Sequence, residues 1–256
     1  MRDSTGPGRS RGGFPTTRRS AIREAGSEDP EVRERGFTAV VEAYWKPAYK
    51  YVRLRFREDG EAARDLTQGF FARAFEKGWL AAYDPGRGSF RTFLRTCLDG
   101  FVANEQKASR RERRHPGAPL LSLDFEGAEG ELVRRPVASG KSLEEFFHEE
   151  FVRGLFGAAV EELEAHCRER GKEAAFRLFE RYDLDPEPSG APSYAELAAS
   201  FGMSVTEVTN RLAFARRSFR RIVLERLRRV TGSDREYRDE VRAILGGGQA
   251  EPEAPA

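Results

Sequence analysis

At 256 residues, with 39% hydrophobic and 34% charged side chains, the chain can fill one large or two small helical cores but not a deep enzyme barrel. Its 44 basic and 42 acidic residues leave a net charge of +2, so total charge identifies no nucleic-acid partner and only its distribution can. No apolar run approaches the ~20 residues that span a bilayer, the Arg- and Gly-rich start has no signal-type apolar segment, and Cys97 and Cys167 are too few for a disulfide framework or a four-ligand zinc site. A cytoplasmic protein with reduced thiols and no membrane insertion is expected.

Residues 1–28 hold six Arg, five Gly and two Pro with few apolar side chains, which predicts a disordered basic tail. Asp29 then offers an N-cap and Pro30 a first helical residue, and Phe37, Val40, Val41, Tyr44, Trp45 and Ala48 recur at helical spacing. Pro47 has no backbone N–H to donate and should kink or restart this helix before Tyr49. A second helix is predicted from about Gly60 to Lys77, with Ala63, Leu66, Phe70, Phe71 and Ala74 inward and Arg64, Asp65, Gln68 and Arg73 outward. After the turn-rich Tyr83 to Gly88, Ser89 caps a third helix whose inner face is Phe90, Phe93, Leu94, Cys97, Leu98 and Phe101. It closes on Lys107 to Arg114, where five of eight residues are basic.

From Asp124 to Glu150 eight acidic residues stand against three basic ones among scattered Gly and Pro, the composition of an acidic linker over residues 115–141. Beyond it, Ser142/Glu145, Ser193/Glu196 and Ser204/Glu207 have capping-box spacing, so each marks a helix start. Only Phe201, Gly202 and Met203 separate the last two helices, the spacing of a helix-turn-helix. Val205, Val208, Leu212, Ala215, Phe219 and Ile222 form the inner stripe of its second helix, with Thr206, Thr209, Asn210, Arg211 and Phe214 off that stripe. Arg211 to Arg229 carries eight Arg and one Glu, so this helix can meet phosphates as well as base edges. Asp183 and Asp185 precede prolines and read as turn residues, and His166 beside Cys167 lacks a completing ligand pair. No nucleophile, base and orienting group converge, so no enzyme, metal or cofactor is expected.

The fold expected is all-α: two small helical domains, residues 29–114 and 142–230, joined by the acidic linker and followed by an extension at 231–256. Across residues 31–245 the chain resembles an RNA polymerase sigma factor of the extracytoplasmic-function type in the sigma-70 family. The resemblance is carried by Asp65 to Phe71 (DLTQGFF), Gly88 to Leu94 (GSFRTFL), Ala103 to Arg111, and Ser193 to Val208 (SYAELAASFGMSVTEV). It implies that Asp65 and Gln68 bind core polymerase at its clamp, that the second domain meets its flap, and that promoter DNA is opened without nucleotide hydrolysis. By the same resemblance Tyr83, Arg87, Phe90, Asn104, Lys107, Arg110 and Arg111 meet the minus-ten element. Thr206, Thr209, Asn210, Arg211 and Phe214 would face minus-thirty-five bases, and Arg216, Arg217 and Arg220 the phosphates. Phe214 either touches a thymine methyl or packs on the helix in front. Gly69, Asp99, Gly100, Thr209, Ala213 and Phe214 depart from residues common in the family, so promoter sequence does not transfer. An anti-sigma factor or regulatory kinase is a further possible partner, a role the linker and extension could instead fill in cis. The alternative is a helix-turn-helix repressor whose first domain dimerises or senses a ligand.

Overall fold

A computed structural model describes residues 20–108, 123–135, 140–185 and 192–246. Among the described residues ten α-helices follow one another: α1 (Ala21–Ala25), α2 (Pro30–Arg55), α3 (Gly60–Glu76), α4 (Phe90–Ala108), α5 (Phe125–Arg134), α6 (Leu143–Glu169), α7 (Glu173–Phe179), α8 (Tyr194–Phe201), α9 (Val205–Arg229) and α10 (Asp234–Leu245). A 3-10 turn, Trp79–Ala82, precedes α4, and a π-helical turn, Glu180–Leu184, continues α7. No strand occurs among the described residues, so the chain is all-α.

The helix starts follow the sequence chemistry closely. The Asp29 carboxylate accepts from the Glu31 and Val32 amides at 3.0 and 3.4 Å, with Pro30 at the first position where its missing N–H costs nothing. Ser142, Ser193 and Ser204 all form reciprocal boxes with the Glu three residues on. Gly202, at φ 62°, supplies the left-handed turn between α8 and α9 that a side chain with a Cβ would resist.

Four expectations are corrected. The helix over Pro47 does not restart, because α2 runs unbroken from Pro30 to Arg55 with Pro47 inside it, buried against its neighbours. The expected disordered tail is ordered from residue 20, since Ala21, Ile22 and Ala25 bury one face of α1 and the Ser20 side chain caps it; residues 1–19 lie outside the described residues. The acidic linker contains a helix, α5, whose Phe125 and Ala128 are buried. Finally, the two halves are not held apart: a continuous apolar core runs from Ala21 through α2, α4 and α6 to Leu227 and Val241.

The reason lies in α2 and α6, which pack along one another. Tyr44 of α2 stacks on Phe151 of α6 at 5.0 Å, and Tyr51 meets Phe147 edge-on at 5.6 Å. Between these aromatic contacts Lys50, only 1% exposed, donates to Glu150 of α6 and Glu131 of α5. The α9–α10 turn is held from the first half as well: Ser20 Oγ donates to the Thr231 carbonyl at 2.7 Å and Tyr44 to that of Val230 at 3.4 Å. Burying aromatic rings of this size contributes about 2–3 kcal/mol each, enough to hold the halves together.

Candidate nucleic-acid interface

Three surfaces carry the residues singled out in the sequence. The first is the outer face of α3. The Asp59 side chain caps this helix by accepting from the Ala62 amide at 2.8 Å, and Ala63, Leu66, Phe70 and Ala74 turn into the core. That burial fixes the rotation of the helix and leaves Asp65 and Gln68 exposed, three residues apart on the same side. The neighbouring Arg64 guanidinium lies over Phe125 of α5, 5.6 Å from the ring centroid. The linker helix therefore borders this polar face. It is fixed there by Glu129, which accepts from Tyr49 at 2.7 Å and from Arg53, and by Glu131, which accepts from Lys46 and Lys50 at 2.9 and 2.7 Å.

The second surface is the loop leading into α4. Arg87 extends into solvent, 3.6 Å from Asp84, and Asn104 and Lys107 are exposed farther along the helix. Arg110 and Arg111 lie outside the described residues. Phe90 is corrected: it is fully buried between Tyr44 and Tyr83, at ring distances of 5.5 and 5.2 Å, and cannot stack on a base here. Tyr83 is half-buried, with its hydroxyl bonded to the Gly88 carbonyl and to Glu236. Trp79 and Phe93 are half-buried as well. With Arg73, Cys97, Phe101 and Asn104 they line a hollow of about 470 Å³ beside the loop. The sequence pattern placed Phe93 inward, but it and Cys97 lie along one border of the stripe and are half-buried.

The third surface belongs to α8 and α9. Leu197 and Ala198 of α8 pack on Val208 and Leu212 of α9, all buried, so the first two turns of α9 present Thr206, Thr209 and Asn210 outward. Arg217 continues this exposed side, while Arg220 is half-buried and Arg211 stands 3.8 Å from Glu207. Val205, placed on the inner stripe by its spacing, is 48% exposed at the helix start, where α9 has not yet reached α8.

Two members of this set are engaged by neighbouring side chains. Phe214 stacks on His166 at 6.3 Å and carries Lys172 Nζ 3.8 Å above its ring, so it packs on α6 and the α6–α7 turn. Of the two alternatives the packing one is nearer to this arrangement, with α6 rather than α8 beneath the ring. Arg216 is held by Asp183, with Nε–Oδ2 and Nη2–Oδ1 distances of 3.0 and 2.9 Å, and by the Tyr194 hydroxyl at 3.2 Å. Its charge also lies over the Tyr182 ring at 5.1 Å. Asp183 thus does more than shape a turn. Its bidentate grip, foremost, pushes the Arg216 pKa further up and leaves that guanidinium committed within the fold.

The extension at 231–256, where a terminal helix around Tyr237 to Leu245 is expected, holds α10. Its buried Glu236 and Glu240, 8% and 7% exposed, sit against the start of α4. The signal was present, since Ser233 and Glu236 have the same spacing as the three boxes read as helix starts. Among the described residues no three His, Cys, Asp or Glu side chains gather as a metal site, and no helix is long and apolar enough to cross a membrane. No family model matches the chain, and neither the curated proteins nor the solved structures offer a match to it.

Proposed function

We propose that the chain is a sigma factor of RNA polymerase that recruits the core enzyme to promoters and opens the DNA. The observation carrying this reading is the helix-turn-helix: a left-handed Gly202 turn, a Ser204 box, and an outward face of Thr206, Thr209 and Asn210 continued by Arg217. A helix start presenting short polar side chains followed by Arg suits major-groove base edges flanked by phosphates. The resemblance supplies the rest, since the DLTQ segment puts Asp65 and Gln68 on an exposed helix face. A carboxylate and an amide there can accept from, and donate to, a partner's Arg and backbone groups. The protein acts in this reading as a specificity subunit without catalytic residues or a cofactor of its own, in the cytoplasm where polymerase works.

Transcription reconstituted with core polymerase and this chain tests it: RNA starting at defined promoters should require both. Asp65→Ala with Gln68→Ala should weaken core binding at least tenfold, about 1.4 kcal/mol, with helicity unchanged. Unchanged affinity removes the clamp assignment. Stable binding to palindromic duplex DNA without polymerase, and none to core, would replace the reading with a helix-turn-helix repressor.

A further inference from the structure

Four Ser-x-x-Glu sequences open helices in this chain, and one of them behaves differently. At Ser142, Ser193 and Ser204 the serine amide donates back to its own Glu at 2.9, 2.7 and 2.9 Å. At the start of α10 only half of that pattern forms: Ser233 Oγ accepts from the Glu236 amide at 3.1 Å. The Glu236 carboxylate turns away. It accepts from the Gly232 amide at 2.7 Å, from the Phe90 amide at 2.7 Å and from the Tyr83 hydroxyl at 3.1 Å. Phe90 is the first residue of α4, so its N–H is one of those a helix leaves unpaired and aims at anions. One turn farther on, Glu240 pairs with Arg91 at 2.5 Å. The turn before α10 is equally close, since a Cβ on Gly232 would come within 2.2 Å of Tyr83 Cε1.

We propose that α10 is an intramolecular plug, which lays two carboxylates over the start of α4 and must withdraw before single-stranded DNA can reach Tyr83, Arg91 and the helix end. The proposal rests on the promoter-opening reading above. An amide at a helix N-terminus, a guanidinium and a phenol are donors that fit phosphate oxygens as well as they fit carboxylates, so the two anions compete for one set of partners. The plug is also imperfectly satisfied. His148 Nδ1 and Glu240 Oε2 are both buried without a hydrogen bond and face one another at 4.0 Å. A helix seated on unpaired buried polar atoms is released at lower cost than one whose groups are all matched.

Two variants of the full chain test this by different means. Glu236→Gln with Glu240→Gln removes the charge and keeps the shape. Gly232→Ala adds no charge but drives a methyl against the Tyr83 ring. Hydrogen exchange should rise in peptides covering residues 83–91 in both, with peptides from α2 and α9 unchanged. If about nine in ten molecules hold the plug in place, either release should tighten binding of a fluorescein-labelled random-sequence single-stranded DNA about tenfold. Unchanged exchange in both variants overturns the plug. Raised exchange with unchanged DNA affinity overturns masking, leaving a purely structural cap. Tighter binding in the charge variant alone overturns it too, since lost repulsion then accounts for the gain. Core-polymerase binding is measured on the same proteins: its absence, with the exchange and DNA responses intact, sinks the initiation reading and leaves the plug standing.

Discussion

The outward side of α9 and the start of α4 are both proposed to meet DNA, yet one is open and the other covered. Along α9, Thr206, Thr209, Asn210 and Arg217 stand in solvent while α6, α7 and α8 pack on other sides of the helix. At α4 the Phe90 amide, Tyr83 and Arg91 are engaged by carboxylates from a helix nearly 150 positions away in sequence. Local charge therefore predicts affinity for an anion but not access to it, because an anion of the same chain can arrive first. The covered end depends on the packing of the two halves, whereas the open face rests on α6, α7 and α8, which all belong to the second half.

The largest test breaks that packing. Lys50 bridges Glu131 and Glu150, and burial pushes its pKa down even though Glu131 favours the charged form. Lys50→Ala leaves Glu150, 4% exposed, with only Arg153 beside it. Leaving a buried carboxylate short of its cation costs about 3–5 kcal/mol, read as a fall in the urea midpoint. Lys50→Met with Glu150→Gln should recover most of it. A loss below about 1 kcal/mol would assign the cluster the weight of a surface pair and detach it from the closed arrangement.

This dependence marks the boundary of what the sequence discloses. Caps, helix spans and the helix-turn-helix were legible because each is set within about four residues by hydrogen-bond chemistry or apolar spacing. Docking is set by surfaces far apart in sequence. Nothing local tells that Glu236 leaves its box for Phe90, that Arg216 closes on Asp183, or that Glu129 and Glu131 turn a linker into a docked helix. The Arg-rich run on α9 was visible as charge, and its division into a free and a committed arginine was not. Phe90 is the converse: its helical spacing placed it inward and the structure buries it against Tyr44, which overturns the base contact that the resemblance implied.

That division sharpens the comparison on the open side. Arg217→Ala should lower the salt dependence of duplex binding by the holoenzyme by about one unit of slope, the share of one released counterion. Arg216→Ala should leave the slope unchanged, because its guanidinium is already neutralised by Asp183. It should cost stability instead, seen in thermal melting. Equal slope changes for the two would mean that Arg216 leaves Asp183 on the DNA, and the contrast between open and committed arginines would fail.

The smallest effect concerns α5, whose attachment borders the Asp65 face. Arg53, then Tyr49, hold the Glu129 carboxyl below the usual carboxylate range against the opposing effect of burial. For Glu131 burial pushes upward, but Lys50 and Lys46 outweigh it and the net shift is also down. A carboxylate so depressed stabilises docking fully above its unfolded value, about 4.3, and loses that contribution as pH falls through the folded value. Tyr49 sets the opposite limit. Burial and the bond to Glu129 push its pKa up to about 12, so its contribution is complete below the free phenol value and is lost as pH rises toward that figure. Trp45 meets Phe125 of α5 edge-on at 5.3 Å and reports both limits. In a Trp79→Phe background its emission should hold steady near neutrality, change below about pH 4 and change again in strong alkali, while far-UV helicity holds through the acid step. Glu129→Gln should weaken the acid step and Tyr49→Phe weaken the alkaline one, the remainder of which belongs to Lys50, whose pKa burial pushes down. An acid step that coincides with global unfolding would show that α5 does not detach on its own, and that the Asp65 face is bordered by a fixed part of the core.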